Sequence, residues 1–202
     1  MRKLILLLII CSYILTCSCG KMYVFYVKSN TKSNDSIFVY ENDTIRITYH
    51  LWKNGGRMHF AIYNKLDAPL FIDWKNSSFI INDIPKQYWV DRTHTKSSGG
   101  GVTYQGVSSY NLKGTTEHDD RVSFIPPHSK IIKDYTDMLC KKGSTLDENL
   151  AMHFRNYIAY STNEDTKDER FTDSDFDVTE VKTIKSKELG KYKNDKLFYI
   201  DR

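Results

Sequence analysis

The 202-residue sequence predicts an all-β fold, an antiparallel sandwich or barrel. Three observations carry that expectation. Aromatic residues make up 13% of the chain, led by fourteen Tyr, and stand among Thr, Ile and Val, types that fit a pleated, half-buried surface. Apolar and polar residues alternate through 44–52, with Ile45, Ile47, Tyr49 and Leu51 on one side and Arg46, Thr48 and His50 on the other. Short apolar segments are separated by turn residues and not by helical stretches, which is the spacing of a sandwich or barrel.

The chain begins with a different kind of element. Arg2 and Lys3 precede an apolar run from Leu4 to Ile10, and a short stretch then ends at Cys17 and Cys19. Basic start, apolar run and small residues before a cysteine are the order of a secretory signal of the lipoprotein type. Cleavage before Cys19 places the small Ser18 at the cut bond with Leu15 upstream, whereas cleavage before Cys17 places the β-branched Thr16 there, so Cys19 is preferred over Cys17. Residues 4–15 are too short to span a bilayer, which takes about 20 apolar residues, and Gly20 and Lys21 interrupt the run. The resemblance to lipoprotein signals implies that the Cys19 thiol carries a diacylglyceryl group and its freed amine an acyl chain; two or three chains hold a protein firmly where one does not. Gly20, in place of an Asp that retains lipoproteins on the inner membrane, favours the outer membrane. The stretch Gly20, Lys21, Met22 lacks an acidic surface-export run, so a periplasm-facing position is preferred over the cell surface.

Strand patterns follow. Residues 23–27 are apolar and aromatic, 29–36 form a polar connector, and 37–40 read as a strand. After the alternating stretch 44–52, Asn54, Gly55 and Gly56 tolerate positive φ, and Met58, Phe60 and Ile62 resume the alternation, the strongest hairpin signal in the chain. Further strands are expected at 70–74, 78–81 and 87–90. A long flexible loop is expected at 93–101, where Ser97, Ser98 and three glycines stand in a row, and strands return at 101–110 and 121–125. Pro126 and Pro127 force an extended turn before 129–132. Residues 141–161 read as a loop or one short helix, since Leu146, Leu150, Phe154 and Ile158 fall at steps of four, and then as a strand.

These readings divide the chain into a signal peptide at 1–18, an anchor, first strand and connector at 19–36, and a single β-sandwich domain at 37–202. Loss of Arg2 and Lys3 with the signal lowers the net charge from +4 to about +2, which argues against a nucleic-acid partner. Of four cysteines, cleavage before Cys19 removes Cys11 and Cys17 and lipid occupies Cys19, which leaves Cys140 alone and excludes a disulfide framework; cleavage before Cys17 would instead leave Cys19 free to pair with Cys140.

The strings IFVYENDTIRITYHLW, FAIYNKLDAPLFIDWKNSSFI, QYWVD and FIPPHSKI, with FRNYIAYST fainter, resemble an uncharacterised group of bacterial lipoproteins. The resemblance covers about residues 23–133. It implies an immunoglobulin-like β-sandwich behind the lipid anchor and carries over no catalytic residue. The paired cysteines of an antibody-type core are absent.

Candidate site residues are few. Asp173, Asp175 and Asp177 alternate as oxygen ligands of a hard cation do, but an EF-hand is excluded because Val178 stands where its glycine belongs and Ile184 where its bidentate Glu belongs. No pair among the six histidines has a zinc spacing, and His118 beside Asp119 and Asp120 is the best cluster. Trp74, Tyr88 and Trp89 are candidates for an aromatic platform, although neighbours in a strand face opposite ways, so Tyr88 and Trp89 do not share one buried face. No nucleophile elbow or phosphate loop is present, and no catalytic residue, cofactor or metal is assigned. Eight acidic residues between 164 and 180, followed by six lysines between 182 and 196, read as solvated surface or as a basic strip on anionic lipid. The expected function is a lipid-anchored envelope protein that binds or assembles, with the membrane and a protein or glycan as partners. A periplasmic hydrolase with a dispersed active site and a structural accessory of an envelope complex are the alternatives.

Overall fold

The computed structural model describes residues 20–33, 36–89, 93–104, 107–118, 120–138 and 152–201, with 93–104, 107–118 and 135–138 as backbone only. The signal, Cys17, Cys19, Cys140, Asp119 and the helical pattern at 144–150 lie outside the described residues. Fourteen strands are assigned among the described residues. They are β1 (Lys21–Ser29), β2 (Lys32–Ser33), β3 (Phe38–Glu41), β4 (Ile45–Tyr49), β5 (Arg57–Asn64), β6 (Leu70–Ile81) and β7 (Ile84–Gln87), then β8 (Thr93–Tyr104), β9 (Val107–His118), β10 (Val122–Ile125), β11 (Lys130–Met138), β12 (His153–Ser161), β13 (Arg170–Lys185) and β14 (Leu197–Asp201). A 3₁₀ helix, Ser186–Tyr192, precedes β14. Among the described residues no helix is long and apolar enough to cross a membrane.

Two antiparallel sheets form the sandwich. The larger runs β10-β6-β12-β13-β1-β14, with β7 also paired to β6, and the smaller runs β11-β5-β4-β3-β2. Period-two alternation does what the sequence demands of it: Ile45, Ile47 and Tyr49 of β4 and Phe60 and Ile62 of β5 turn inward and meet Ile72, Phe79, Phe154, Ile158 and Phe176 of the larger sheet. Phe154 stacks on Phe176 at 5.0 Å, and Phe176 meets the Tyr49 ring edge-on at 4.9 Å. A hydrogen-bonded polar chain crosses this core, beside a Thr172 hydroxyl that is buried without a partner among the described residues. The Tyr49 hydroxyl donates to Ser174 Oγ at 2.8 Å, Asn156 Nδ2 donates to Tyr49 Oη at 3.2 Å, and the Tyr88 hydroxyl donates to Asn156 Oδ1 at 2.6 Å. This network ties β4 to β12 and β13 across the two sheets, and burial pushes the Tyr49 phenol well above its ordinary pKa.

Two turns set registers. Gly55 and Gly56 adopt positive φ, as the Asn-Gly-Gly signal requires, yet the connection is wider than a tight hairpin. β4 ends at Tyr49, His50 N–H still donates to His59 O of β5, and the chain then leaves the small sheet: Leu51 N–H donates to Asp195 O and Gly55 N–H to Tyr199 O. Leu51 is buried as its phase predicts, but outside the strand. Between β6 and β7 the turn is Asn82-Asp83, both at positive φ, a conformation that Asn and Asp tolerate and that suits a two-residue hairpin.

The segment expected as a long flexible loop is instead the first half of a two-stranded ribbon. β8 pairs with β9 along its whole length, from Thr93 opposite His118 to Tyr104 opposite Val107. Glycine weakens a strand without forbidding it, and the continuous ladder partners the backbone groups that face β9.

One edge of the smaller sheet and one end of the larger sheet's outer face are guarded. On the edge strand β11, Lys133 points to the core side and lies over the Trp74 ring at 4.7 Å, an inward charge that discourages pairing with another chain. The 3₁₀ helix, absent from the sequence-based expectation, covers the outward side of the larger sheet at its β14 end, where Leu189 and Tyr192 pack on Met22, Val24 and Ile184. Glu188 accepts the Lys185 N–H at 3.3 Å at its start.

Candidate functional site

The outward face of the larger sheet holds the residues with unspent chemistry. Phe154, Asn156 and Ile158 of β12 and Thr172, Ser174 and Phe176 of β13 are buried inward, so His153, Arg155 and Tyr157 and also Phe171, Asp173, Asp175 and Asp177 face out. In the antiparallel register His153 stands opposite Asp177, Arg155 opposite Asp175 and Tyr157 opposite Asp173. The three aspartates singled out in the sequence therefore form one row beside a second row of complementary side chains.

The pairing across these rows is shifted by one position. Arg155 reaches diagonally to Asp173, with Nε donating to Oδ1 at 3.2 Å and Nη2 to Oδ2, and this bonding raises its pKa further. His153 likewise turns diagonally and places Nε2 against Asp175 Oδ1. Two partners thus serve three carboxylates. Asp177, at the end of the row, forms no ion pair among the described residues, and Lys28, its register partner on β1, does not close on it. One ligand atom each from His153, Asp175 and Asp177 lies within 4.8 Å of the others. Asp173, a candidate with these two, is held away from them by Arg155.

Farther along the same face, aromatic side chains stand in solvent. Phe124 of β10 is 53% exposed and pairs with Phe71 of β6 at 5.7 Å; Phe171 of β13 is 48% exposed and stacks on Tyr157 of β12 at 5.2 Å. Burial, with Asp173 and Glu169 nearby, raises the Tyr157 phenol pKa. Between the two ring pairs lie Asp73 and Ala159, opposite one another and buried.

The sequence-derived aromatic platform is not this one. Trp74 is 2% exposed and Tyr88 8%, and their rings meet edge-on at 5.8 Å inside the core, with Trp89 half-buried beside them. The physical reason is phase: Leu70, Ile72 and Trp74 share one side of β6, so the side that buries the first two buries the indole, whose Nε1 donates to Ser123 Oγ at 2.7 Å. The rings that do reach solvent, Phe71, Phe124 and Phe171, belong to the opposite phase of their strands. That alternation was readable, but which phase faces out depends on the sheet each strand joins.

On the smaller sheet His50 and His59 lie 5.8 Å apart, ring to ring. Each has its own carboxylate, His50 with Asp195 at 2.8 Å and His59 facing Asp134 at 3.6 Å, and burial lowers the His59 pKa. They converge on no common point for an ion among the described residues.

Comparison with known proteins gives no matching family model, no matching curated protein and no matching solved structure. The functional reading therefore rests on the residues above.

Proposed function

We propose that this chain is an exported, lipid-anchored cell-envelope protein that acts as a non-enzymatic binding or assembly module, and that its contact surface is the outward face of the larger sheet. The observation that carries the reading is the pair Phe124 and Phe171, the exposed aromatic rings among the described residues, each backed by a second aromatic on one face of the larger sheet. Rigid aromatic surface offers contact area at low conformational cost, which is why such residues dominate interface energetics. Ile84 and Ile132 are also exposed, as single aliphatic side chains on other strands. The lipoprotein signal ending at Cys19 supports the address, the outer membrane with the domain toward the periplasm, and the strand patterns support an immunoglobulin-like class of sandwich. The partner is an envelope protein or glycan.

The test is capture of the anchored protein from its native membrane. Wild type should bring down a defined protein or glycan, and a Phe124→Ser, Phe171→Ser double variant should lose it while melting within about 1 kcal/mol of wild type, as surface changes do. Equal recovery by both proteins, or no partner with either, contradicts the reading.

A further inference from the structure

We propose that His153, Asp175 and Asp177 form a divalent-cation site of the zinc or manganese class, open on its outer side to a ligand from solvent or from a bound partner. The inference stands on the geometry of the β12–β13 pair and does not depend on the proposed function.

Three features argue for it. The ligand types match a borderline metal: one imidazole nitrogen with two carboxylates suits zinc or manganese, whereas calcium takes oxygen ligands throughout. The positions are fixed by the ladder, since His153 and Asp177 are directly opposed and Asp175 is the next residue on the same face of β13. The charges are also left incomplete in a specific way. Arg155 neutralises Asp173, the shift of partners leaves Asp177 without a cation among the described residues, and two carboxylates of like charge share the end of the row with one imidazole.

A bound ion resolves this arrangement. Metal–ligand distances of about 2.0–2.2 Å place the donor atoms of a tetrahedral site roughly 3.4 Å apart. The three atoms already lie within 4.8 Å, so side-chain torsions close the site with the strands unmoved. The contact between His153 Nε2 and Asp175 Oδ1 opens as both atoms turn to the ion. The backbone end of the site is held as well: Asn82 Oδ1 accepts the His153 N–H at 3.1 Å, and Asn30 Oδ1 accepts the Asp175 N–H at 3.0 Å. Three protein ligands leave a fourth position for water or an incoming group, which is the composition of an open site.

The experiment uses the full mature protein, stripped with a chelator and titrated separately with Zn²⁺, Mn²⁺ and Ca²⁺, followed by calorimetry and by the melting temperature. Zn²⁺ or Mn²⁺ should bind one per chain and raise the melting temperature, with Ca²⁺ much weaker. His153→Ala and Asp177→Asn should each abolish this, while Asp165→Asn, in an exposed pair with Lys167, should leave it intact. Asp177→Asn also guards against misfolding, because its exposed side chain has no partner among the described residues. Absence of binding by every ion, binding that persists in both site variants, or preference for Ca²⁺ would overturn the proposal.

Discussion

Phe176→Ala is expected to destabilise the domain by about 3–5 kcal/mol, the range for removing a fully buried phenylalanine. The ring is wholly buried at the centre of the sandwich, stacked on Phe154 and met edge-on by Tyr49 and Phe38, so its loss opens a cavity bounded by both sheets. Tyr49 cannot move to fill it without breaking its hydrogen bond to Ser174. In a chain of this length the melting temperature should fall by roughly 10 °C or more. Thermal melts followed by circular dichroism provide the check, and a change of only a degree or two would mean that the two sheets do not meet at this residue.

Arg121→Ala is expected to be nearly as costly, about 3 kcal/mol, although Arg121 is a surface residue. The reason is the asymmetry of its pair. Asp73 has no exposed side-chain surface, while the Arg121 side chain is 47% exposed and donates from Nη2 to Asp73 Oδ2 at 2.7 Å. Removing the arginine strands a buried carboxylate, whereas removing the carboxylate returns the guanidinium to water. Asp73 also holds the backbone where β6 slips against β12: it accepts the Lys75 N–H at 2.9 Å, and Ser77 Oγ, which donates to Asp73 O at 2.6 Å, accepts the Ala159 N–H at 2.9 Å. This is the place where the pairing shifts between Tyr157 and Ala159. Urea unfolding should therefore rank Arg121→Ala below Asp73→Asn in stability, with the double variant recovering part of the loss. Equal stability of Arg121→Ala and wild type would show that the carboxylate does not depend on this partner.

Much of the sandwich was legible because strands announce their faces. Ile45, Ile47 and Tyr49 and then Phe60 and Ile62 alternate cleanly, and the structure buries all five. Less was legible where the outcome depends on which strands become neighbours. Trp74 looked available for binding until β6 was placed inside the larger sheet, where its phase turns the indole to the core. Residues 97–101 looked like a loop because their side chains offer nothing to pack, yet backbone pairing with β9 makes them strand. The acidic row was half legible: Asp173, Asp175 and Asp177 share a face by period alone, but that Arg155 takes the first and His153 the second follows from a register between strands that begin 17 residues apart in the chain, at 153 and 170. The Asn-Gly-Gly turn was legible in its conformation and not in its width, because Leu51, Lys53 and Gly55 bond to Asp195 and Tyr199, near the other end of the sequence.

The functional account depends first on address, since an envelope partner is of no use to a protein that is not exported and anchored. The most direct measurement is the mass of the N-terminal peptide of the mature protein taken from its native membrane. The expected peptide begins at Cys19 and carries a diacylglyceryl group with an acyl chain on its amine. A peptide that still contains Met1, or one that begins at Cys19 without lipid, would contradict it.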